Sequence, residues 1–532
     1  MTNPIEDIES SEVILVAGSN TTENHPVLSS YIKRAVKFKK ARLIVIDPRQ
    51  INLTRFATKW LRPKPGTNTA LLNGIMHVII RENLHDKIFI ANRTEGFDNL
   101  EKNLEAYTPE QVCDITGIPA QDIIETAHIY AGASPASILY CMGITQHTSG
   151  TDNVKALAGL AMLCGNMGVK GGGVNPLRGQ NNVQGACDMG GLPEVFPGYR
   201  PVTDKHVAKA MEAAWQTQGL STVAGLTATQ MIPEAGKKIK TMYIIGENPM
   251  VSDPDIAHVE RALDSLDFLV VQDLFLTETA QRADLVLPAS CFAEKEGTFT
   301  NTERKIQRVR QAVVPPGLAQ GDWQIICALA QKMNAKDGFR FTTSREIMEE
   351  IARVTPSYAG ISYDRLEKED LRWPCPGKNH PGTPMLHKTT FSRGKGAFYP
   401  VEFRPPAEIT DKAYPLILTT GRLLYHYHTG TMTMKTHDLN VQAPENFIEI
   451  CRQDAAAFNV ENGSMASISS RRGTITARVK ISSKAVKGTV FVPFHFAKSA
   501  ANRLTNAALD PVCKIPELKV CAVTLAPLDS NN

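Results

Sequence analysis

Two stretches separated by more than two hundred residues repeat one pattern. Each is an apolar, β-branched run closed by glycine-x-asparagine, followed by a second apolar run that reaches aspartate. "EVILVAGSN" (12–20) leads to "ARLIVIDPR" (41–49), and "TMYIIGENPMVSDPD" (241–255) leads to "DFLVVQDLF" (267–275). Gly18 to Asp47 spans 47 − 18 = 29 residues, and Gly246 to Asp273 spans 273 − 246 = 27. The copies are offset by 246 − 18 = 228 and 273 − 47 = 226 residues. Unbroken apolar runs mark strands of a parallel sheet covered on both faces. The intervening "HPVLSSYIKRAVKFKK" carries a helical pattern, so the first copy reads as a βαβ unit. A further strand, "SPASILYCMG" (134–143), precedes a helix in "TDNVKALAGLAMLCGNMG", with Thr151 or Asp152 as N-cap and Gly165 near its end. Alternating strands and helices predict an α/β chain with two doubly wound lobes. The repeat has a second reading, the general likeness of any two such lobes.

The 532 residues exceed what one core organises. The region 293–405 is mixed, with an amphipathic helix at "DWQIICALAQKM" and irregular chain at "RWPCPGKNHPGTPM". From 406 on, "YPLILTTGR", "GSMASISS", "GTITARVKIS" and "GTVFVPFHF" are short and β-rich, and "RRG" reads as a hairpin turn. A terminal β-barrel follows from that run.

Composition excludes several classes. A net charge of +4 gives no basic face for nucleic acid. No apolar run reaches the roughly 20 residues of a membrane span, and the start lacks the layout of a signal peptide. These features predict a cytoplasmic protein. The ten cysteines are scattered with no C-x2-C pair, which argues against zinc or an iron–sulfur cluster bound by this chain.

The loop "GGGVNPLRGQNNVQGACDMGG" (171–191) holds seven glycines, the amides Gln180, Asn181, Asn182 and Gln184, and one cation, Arg178. Such a loop suits close approach to a large polar ligand. In open α/β sheets ligands bind beyond the carboxyl ends of the strands. The G-x-N turns and the aspartates fall there, where a carboxylate accepts from ribose hydroxyls or from the donor-rich edge of guanine. Neither turn is G-x-G-x-x-G, which disfavours NAD. Two nucleotide-bearing cofactor halves fit the two lobes. Further polar loops offer Gly66 and Asn68, Gly143 and Gln146, and Arg422, His426, Tyr427 and His428. The imidazoles are open to two readings, metal ligation or hydrogen bonding to a polar ligand.

"GVNPLRGQNNVQGACDMG" closely resembles the signature of molybdopterin-dependent formate dehydrogenases. Their large catalytic subunits hold molybdenum or tungsten between two molybdopterin guanine dinucleotides. The similarity runs through "RTEGFDNL", "YTPEQV", "DITGI", "AMLCGNMG", "VQDLFLTETAQRADLVLPAS", "EGTFTNTER" and "PELKVCAV", covering nearly the whole chain. In nitrate reductases with the same cofactor this loop is expected to differ and to lack the arginine. The resemblance implies that Arg178 holds the formate carboxylate and that the loop around it, with Gln180, lies against the pterins. It implies cofactor contacts at Asn20, Glu23, Asp47, Arg49, Gly66, Asn68, Met142, Gly143 and Gln146. It adds Gln272 and Asp273 in the second lobe, and Arg422, His426, Tyr427, Phe494, His495 and Lys519 in the terminal domain. Glu23, His428 and His495 stand where other residue types are expected.

Members of that family begin with a [4Fe-4S] domain, then half of the second lobe, then a metal-ligating selenocysteine or cysteine followed by histidine. The sequence contains none of these, so no residue of it is expected to ligate the metal. The resemblance implies a C-terminal portion: lobe one at 1–180, an incomplete lobe two at 181–292, a linking region at 293–405 and a dinucleotide-binding barrel at 406–532. A selenocysteine codon read as a stop, with an internal methionine taken as the start, would produce such a sequence. Activity is then expected to require the missing segment, with the cluster present only in the complete protein. Formate and electron-transfer subunits with iron–sulfur clusters are the implied partners. The alternatives are a non-catalytic cofactor-binding remnant or scaffold, and a bis-pterin oxidoreductase for another oxyanion.

Overall fold

The computed structural model describes residues 1–335 and 338–528. The chain divides into two compact units. Unit 1 comprises residues 1–177, 251–258 and 385–532, and unit 2 comprises 178–250 and 259–384.

Unit 1 contains a five-stranded sheet of β1 (Val13–Ala17), β2 (Arg42–Ile46), β3 (Lys59–Leu61), β4 (Ala136–Tyr140) and β5 (Val174–Pro176). The order is β3-β2-β1-β4-β5 and every pairing is parallel. All five residues of β1 are buried, as a strand covered on both faces requires. Its side chains alternate between two cores. Val13, Leu15 and Ala17 join helices Asn68–Arg81, Ala120–Ala131 and Gly150–Leu163, while Ile14 and Val16 join helix Pro26–Lys39. The helix expected to have Thr151 or Asp152 as its N-cap starts earlier, at Gly150 with Ser149 in the N-cap position. Thr151 is within it, and its hydroxyl and backbone N–H both donate to Asp510.

The terminal part of unit 1 is a closed barrel of β11 (Leu416–Gly421), β12 (Phe447–Ile450), β13 (Met465–Ser469), β14 (Thr474–Ile481), β15 (Thr489–Pro493) and β16 (Cys521–Pro527). The strands close in the order β11-β15-β12-β14-β13-β16. "RRG" does turn a hairpin, with Ser469 opposite Thr474 and Ile468 opposite Ile475. Alternate residues fill the interior, among them Leu418, Ile448, Ile450, Val490 and Val492. The residues between them therefore face outward.

Unit 2 holds a parallel sheet of β6 (Thr241–Ile245), β7 (Phe268–Asp273) and β8 (Leu285–Pro288), in the order β8-β7-β6. It also holds a hairpin of β9 (Gly297–Thr300) and β10 (Ile306–Val309). The sheet is covered unevenly: Leu269 and Val271 are buried, whereas Ile245, Leu285 and Val286 are exposed. "RWPCPGKNHPGTPM" is irregular, as its prolines dictate. Among the described residues no helix is long and apolar enough to cross a membrane.

The sequence repeat has a structural counterpart. Gly18 (φ +56°) donates its N–H to the carbonyl of Ile46, the residue before Asp47, at 2.9 Å. Gly246 (φ +63°) donates to the carbonyl of Gln272, the residue before Asp273, at 2.9 Å. Both lobes thus pin the glycine turn to the strand that delivers the aspartate.

Candidate functional site

In unit 1 the strand order reverses direction between β1 and β4, the place in an open α/β sheet where ligands bind beyond the strand ends. There Gly143 donates its N–H to the Gly18 carbonyl at 3.0 Å. A Cβ on Gly18 would lie 2.5 Å from the Gly143 carbonyl carbon, and one on Gly143 would lie 2.6 Å from the Gly18 Cα. Only glycine permits that approach. Around it are buried polar groups with no hydrogen-bond partner: the Ser19 and Thr21 hydroxyls, both amide atoms of Asn20, and Nδ1 of His147. Buried polar groups are normally paired. A polar ligand seated at this turn would pair them.

Asp47 stands just past β2. Its Oδ1 accepts the Arg49 N–H at 2.9 Å, and its carbonyl accepts Trp60 Nε1 at 3.0 Å. Burial pushes its carboxyl up to about 6, against the pull of that backbone bond and of the charges on Arg49, Lys519 and Arg62. Lys519 donates to the Thr420 carbonyl at 2.7 Å. Burial and the neighbouring Arg422 push its ammonium down to about 8. Arg422 stacks against Phe494, 5.6 Å from the ring centroid, and has no hydrogen-bond or ion-pair partner among the described residues. Burial likewise lowers Arg62, which lies over Trp60 and leaves its buried Nη2 unpaired. Three cations against one carboxylate make a local excess of positive charge that suits a diphosphate.

The other unit 1 residues divide by what they touch. Asn68 opens helix Asn68–Arg81 and donates from Nδ2 to the Gly143 carbonyl at 3.4 Å. Met142 opens the short helix Met142–Thr145, and its sulfur accepts from the Thr145 hydroxyl. Gln146 donates its N–H to the Met142 carbonyl. Glu23 lies in the turn after Asn20, whose carbonyl accepts its N–H. Gly66 packs on Pro406, where a Cβ would lie 2.3 Å from Cγ, so its side of the loop meets protein. Arg49 forks onto Glu449 of β12, Nε to Oε1 at 2.7 Å and Nη2 to Oε2 at 2.9 Å.

The imidazoles are engaged with protein. His426 sets Nε2 on the Ala443 carbonyl at 2.6 Å and Nδ1 on the Thr433 hydroxyl at 3.1 Å. Both ring nitrogens therefore have protein partners. His495 accepts the Leu423 N–H at 2.8 Å and donates to the His428 carbonyl. Burial holds His495 down at about 3 and His428 at about 4. His495 thus braces the 422–431 segment, and the His428 ring packs edge-on against Phe494. Tyr427 is exposed, its N–H on the Thr433 hydroxyl, and Phe494 donates its N–H to the Gly421 carbonyl.

In unit 2, Arg178 donates from Nε to Oε1 of Gln184 at 3.2 Å, and its N–H reaches the Thr302 hydroxyl at 3.2 Å. Gln180 lies in the turn that follows, half-buried. Gln272 is fully buried, taking the Tyr243 hydroxyl on Oε1 and donating to Asp322 at 2.7 Å. Its side chain is therefore bound within the lobe. Asp273 accepts the Leu274 N–H at 2.6 Å, and burial raises its carboxyl. Sequence reasoning missed Ser19, Arg62 and His147. The last sits on the Gly143 carbonyl at 2.9 Å, with burial pushing it down to about 4. Ser19 lies beside a quoted motif, but no spacing singles out Arg62. Among the described residues no group of three or more His, Cys, Asp or Glu could hold a metal ion.

A parallel sheet with a glycine-on-glycine turn at its switch point, an unpaired Asn20 amide and excess cations, together with a closed terminal barrel, suits a large polar ligand that bears a nucleotide. The family description "Molybdopterin oxidoreductase" matches residues 1–332, and "Molydopterin dinucleotide binding domain" matches residues 416–522. The chain belongs to the molybdopterin oxidoreductase family. It is 55% identical over 527 residues to the F420-dependent formate dehydrogenase subunit alpha of Methanocaldococcus jannaschii, covering 99% of this chain and 78% of that one. It is 38% identical to the assimilatory nitrate reductase catalytic subunit of Bacillus subtilis, covering 99% and 76%. Among solved structures, acetylene hydratase from Pelobacter acetylenicus superposes with a TM-score of 0.78 at 20% identity, covering 98% of this chain and 81% of that one. That likeness concerns the fold.

Proposed function

We propose that this protein oxidises formate to carbon dioxide at a molybdenum or tungsten centre carried by two molybdopterin guanine dinucleotides. The observation that carries the reading is Arg178: the lone cation of a glycine- and amide-rich loop, oriented through Nε by an uncharged amide. A planar guanidinium grips a small carboxylate through two parallel charge-assisted bonds and fixes where its C–H points. A point charge would bind formate without orienting it. The 55% identity to a formate dehydrogenase alpha subunit supports formate as the substrate.

The switch-point residues fit the nucleotide end of a pterin dinucleotide. Asn20, Ser19 and Thr21 would pair with its polar groups at the Gly18–Gly143 contact. Asp47 would take a guanosine donor, and Lys519, Arg422 and Arg62 would face the diphosphate. Asp273 would take the corresponding place in the second lobe. When bound, the group accepts the two electrons that leave as formate gives carbon dioxide and a proton. Arg178 keeps the carboxylate in place while that C–H bond breaks. Electron-transfer subunits with iron–sulfur clusters would take the electrons onward.

In the holoenzyme, Arg178→Lys should lower kcat/KM for formate well over tenfold. Near-wild-type turnover would reject Arg178 as the anchor. The identity to a nitrate reductase keeps a second reading, an oxidoreductase for another oxyanion. Reduced-dye oxidation with nitrate, compared with dye reduction by formate, decides between them.

A further inference from the structure

The residues behind Arg178 form a buried polar chain that the reaction itself does not use. Asp188 is 1% exposed and has no ion-pair partner among the described residues. Its Oδ1 accepts from Gln184 Nε2 at 2.7 Å and from the Tyr199 hydroxyl at 2.8 Å, and its Oδ2 accepts from the Tyr358 hydroxyl at 2.6 Å. A carboxylate removed from water is costly unless donors surround it, and here they do. Burial still raises its pKa against those bonds.

The chain has a direction. An amide is reversible, with oxygen and nitrogen of similar size, but an ionised carboxylate only accepts. Asp188 therefore holds the nitrogen of Gln184 and turns its oxygen onto Nε of Arg178. A flipped amide would set oxygen against carboxylate and NH2 against guanidinium. An acid in the place of Gln184 would hold Nε as well but would compete with a substrate carboxylate for the charge. A neutral oxygen orients the guanidinium without cancelling it.

The surroundings fix this arrangement. Tyr199 has φ +59°, rare for a bulky residue, and follows Gly198, whose N–H donates to the Asp188 carbonyl at 2.7 Å. Strain of this kind persists where neighbouring structure over-determines it. The Tyr358 hydroxyl lies 2.9 Å from that of Thr300, and the Thr300 N–H donates to Asn182 Oδ1 at 2.9 Å, back in the Arg178 loop.

We propose that Gln184 and Asp188 are positioning residues for the substrate: Asp188 fixes the Gln184 amide, and Gln184 fixes the guanidinium plane of Arg178. The site then favours a planar, two-oxygen anion. This rests on the reading of Arg178 as the formate anchor.

The test is a double-mutant cycle in the holoenzyme with Arg178→Lys, Gln184→Met and their combination. It is read by steady-state kinetics and by calorimetric titration with formate. Gln184→Met keeps length and removes the acceptor, so KM and the formate Kd should rise about tenfold, with a smaller change in kcat. In combination with Arg178→Lys it should add little, because both changes remove one grip. Multiplying effects, or an unchanged KM and Kd in Gln184→Met, would overturn the proposal while leaving the anchor intact. Wild-type kinetics in Arg178→Lys would overturn the anchor reading, and this proposal with it. Should Gln184→Met not fold, Asp188→Asn carries the same cycle. It keeps shape and should raise KM several-fold alone but not in combination with Arg178→Lys.

Discussion

Arg49 and Glu449, 400 residues apart, form a two-toothed ion pair that ties the first lobe to the terminal barrel. The guanidinium also lies over the Phe491 ring, 4.1 Å from its centroid. Strand alternation places both partners: Ile448 and Ile450 fill the barrel, so Glu449 points out, and Phe491 does the same between Val490 and Val492. Glu449 is wholly buried, so breaking the pair leaves an uncompensated charge. Glu449→Ala should destabilise the protein by about 3–5 kcal/mol. Arg404→Ala, which removes an exposed pair with Asp152, should stay within about 1 kcal/mol. Urea unfolding followed by fluorescence compares them, and equal losses would contradict the assignment.

The Gly18–Gly143 contact separates two glycines that look alike in sequence. Gly18→Ala drives a methyl into backbone at 2.5 Å, whereas Gly246→Ala meets nothing within 4 Å. Both positions have positive φ, so the second change carries backbone strain alone, about 1 kcal/mol. Gly18→Ala should lower the melting temperature several times more and should reduce retained pterin. Similar melting temperatures would show that the first turn has room to move.

His495 supplies a pH signature. Its folded pKa is about 3, against 6.5 for a free imidazole. Its stabilising contribution is therefore complete above pH 6.5 and falls as pH drops toward 3, because unfolding takes up a proton in that window. The stability difference between wild type and His495→Gln should shrink by about 2 kcal/mol from pH 7.5 to 5. A pH-independent difference would mean that this imidazole titrates in the fold as it does in the unfolded chain.

Asp47→Ala and Asp273→Ala should each lower the guanine nucleotide released from denatured holoenzyme. Both aspartates sit at the end of a strand pinned to a glycine turn, and burial raises both carboxyls. Full nucleotide content in either variant would remove that aspartate from the cofactor's contacts.

The local pattern of this chain was legible because its causes are local. Unbroken apolar runs at 13–17 and 42–46 had to become covered strands, and β-branched alternation after 414 had to become an open or closed sheet. Glycine-x-asparagine announced turns with positive φ at Gly18 and Gly246. Very short strands such as β3 and β5 carry too few residues for a period to show. The family followed from the loop around Arg178, whose composition serves no regular element. What that composition could not reveal is which polar groups are already satisfied. Nothing in sequence sets Ala443 and Thr433 on the ring nitrogens of His426. Nothing in sequence pairs Arg49 with Glu449, which arrives from another domain. Gln184 and Asp188 are two residues of a polar loop until Tyr199 and Tyr358 close around them. Hydrogen-bond pairing between distant segments depends on where the chain returns in space. Sequence therefore determined the elements and the kind of ligand, and the tertiary structure decided which side chains remain available to hold it.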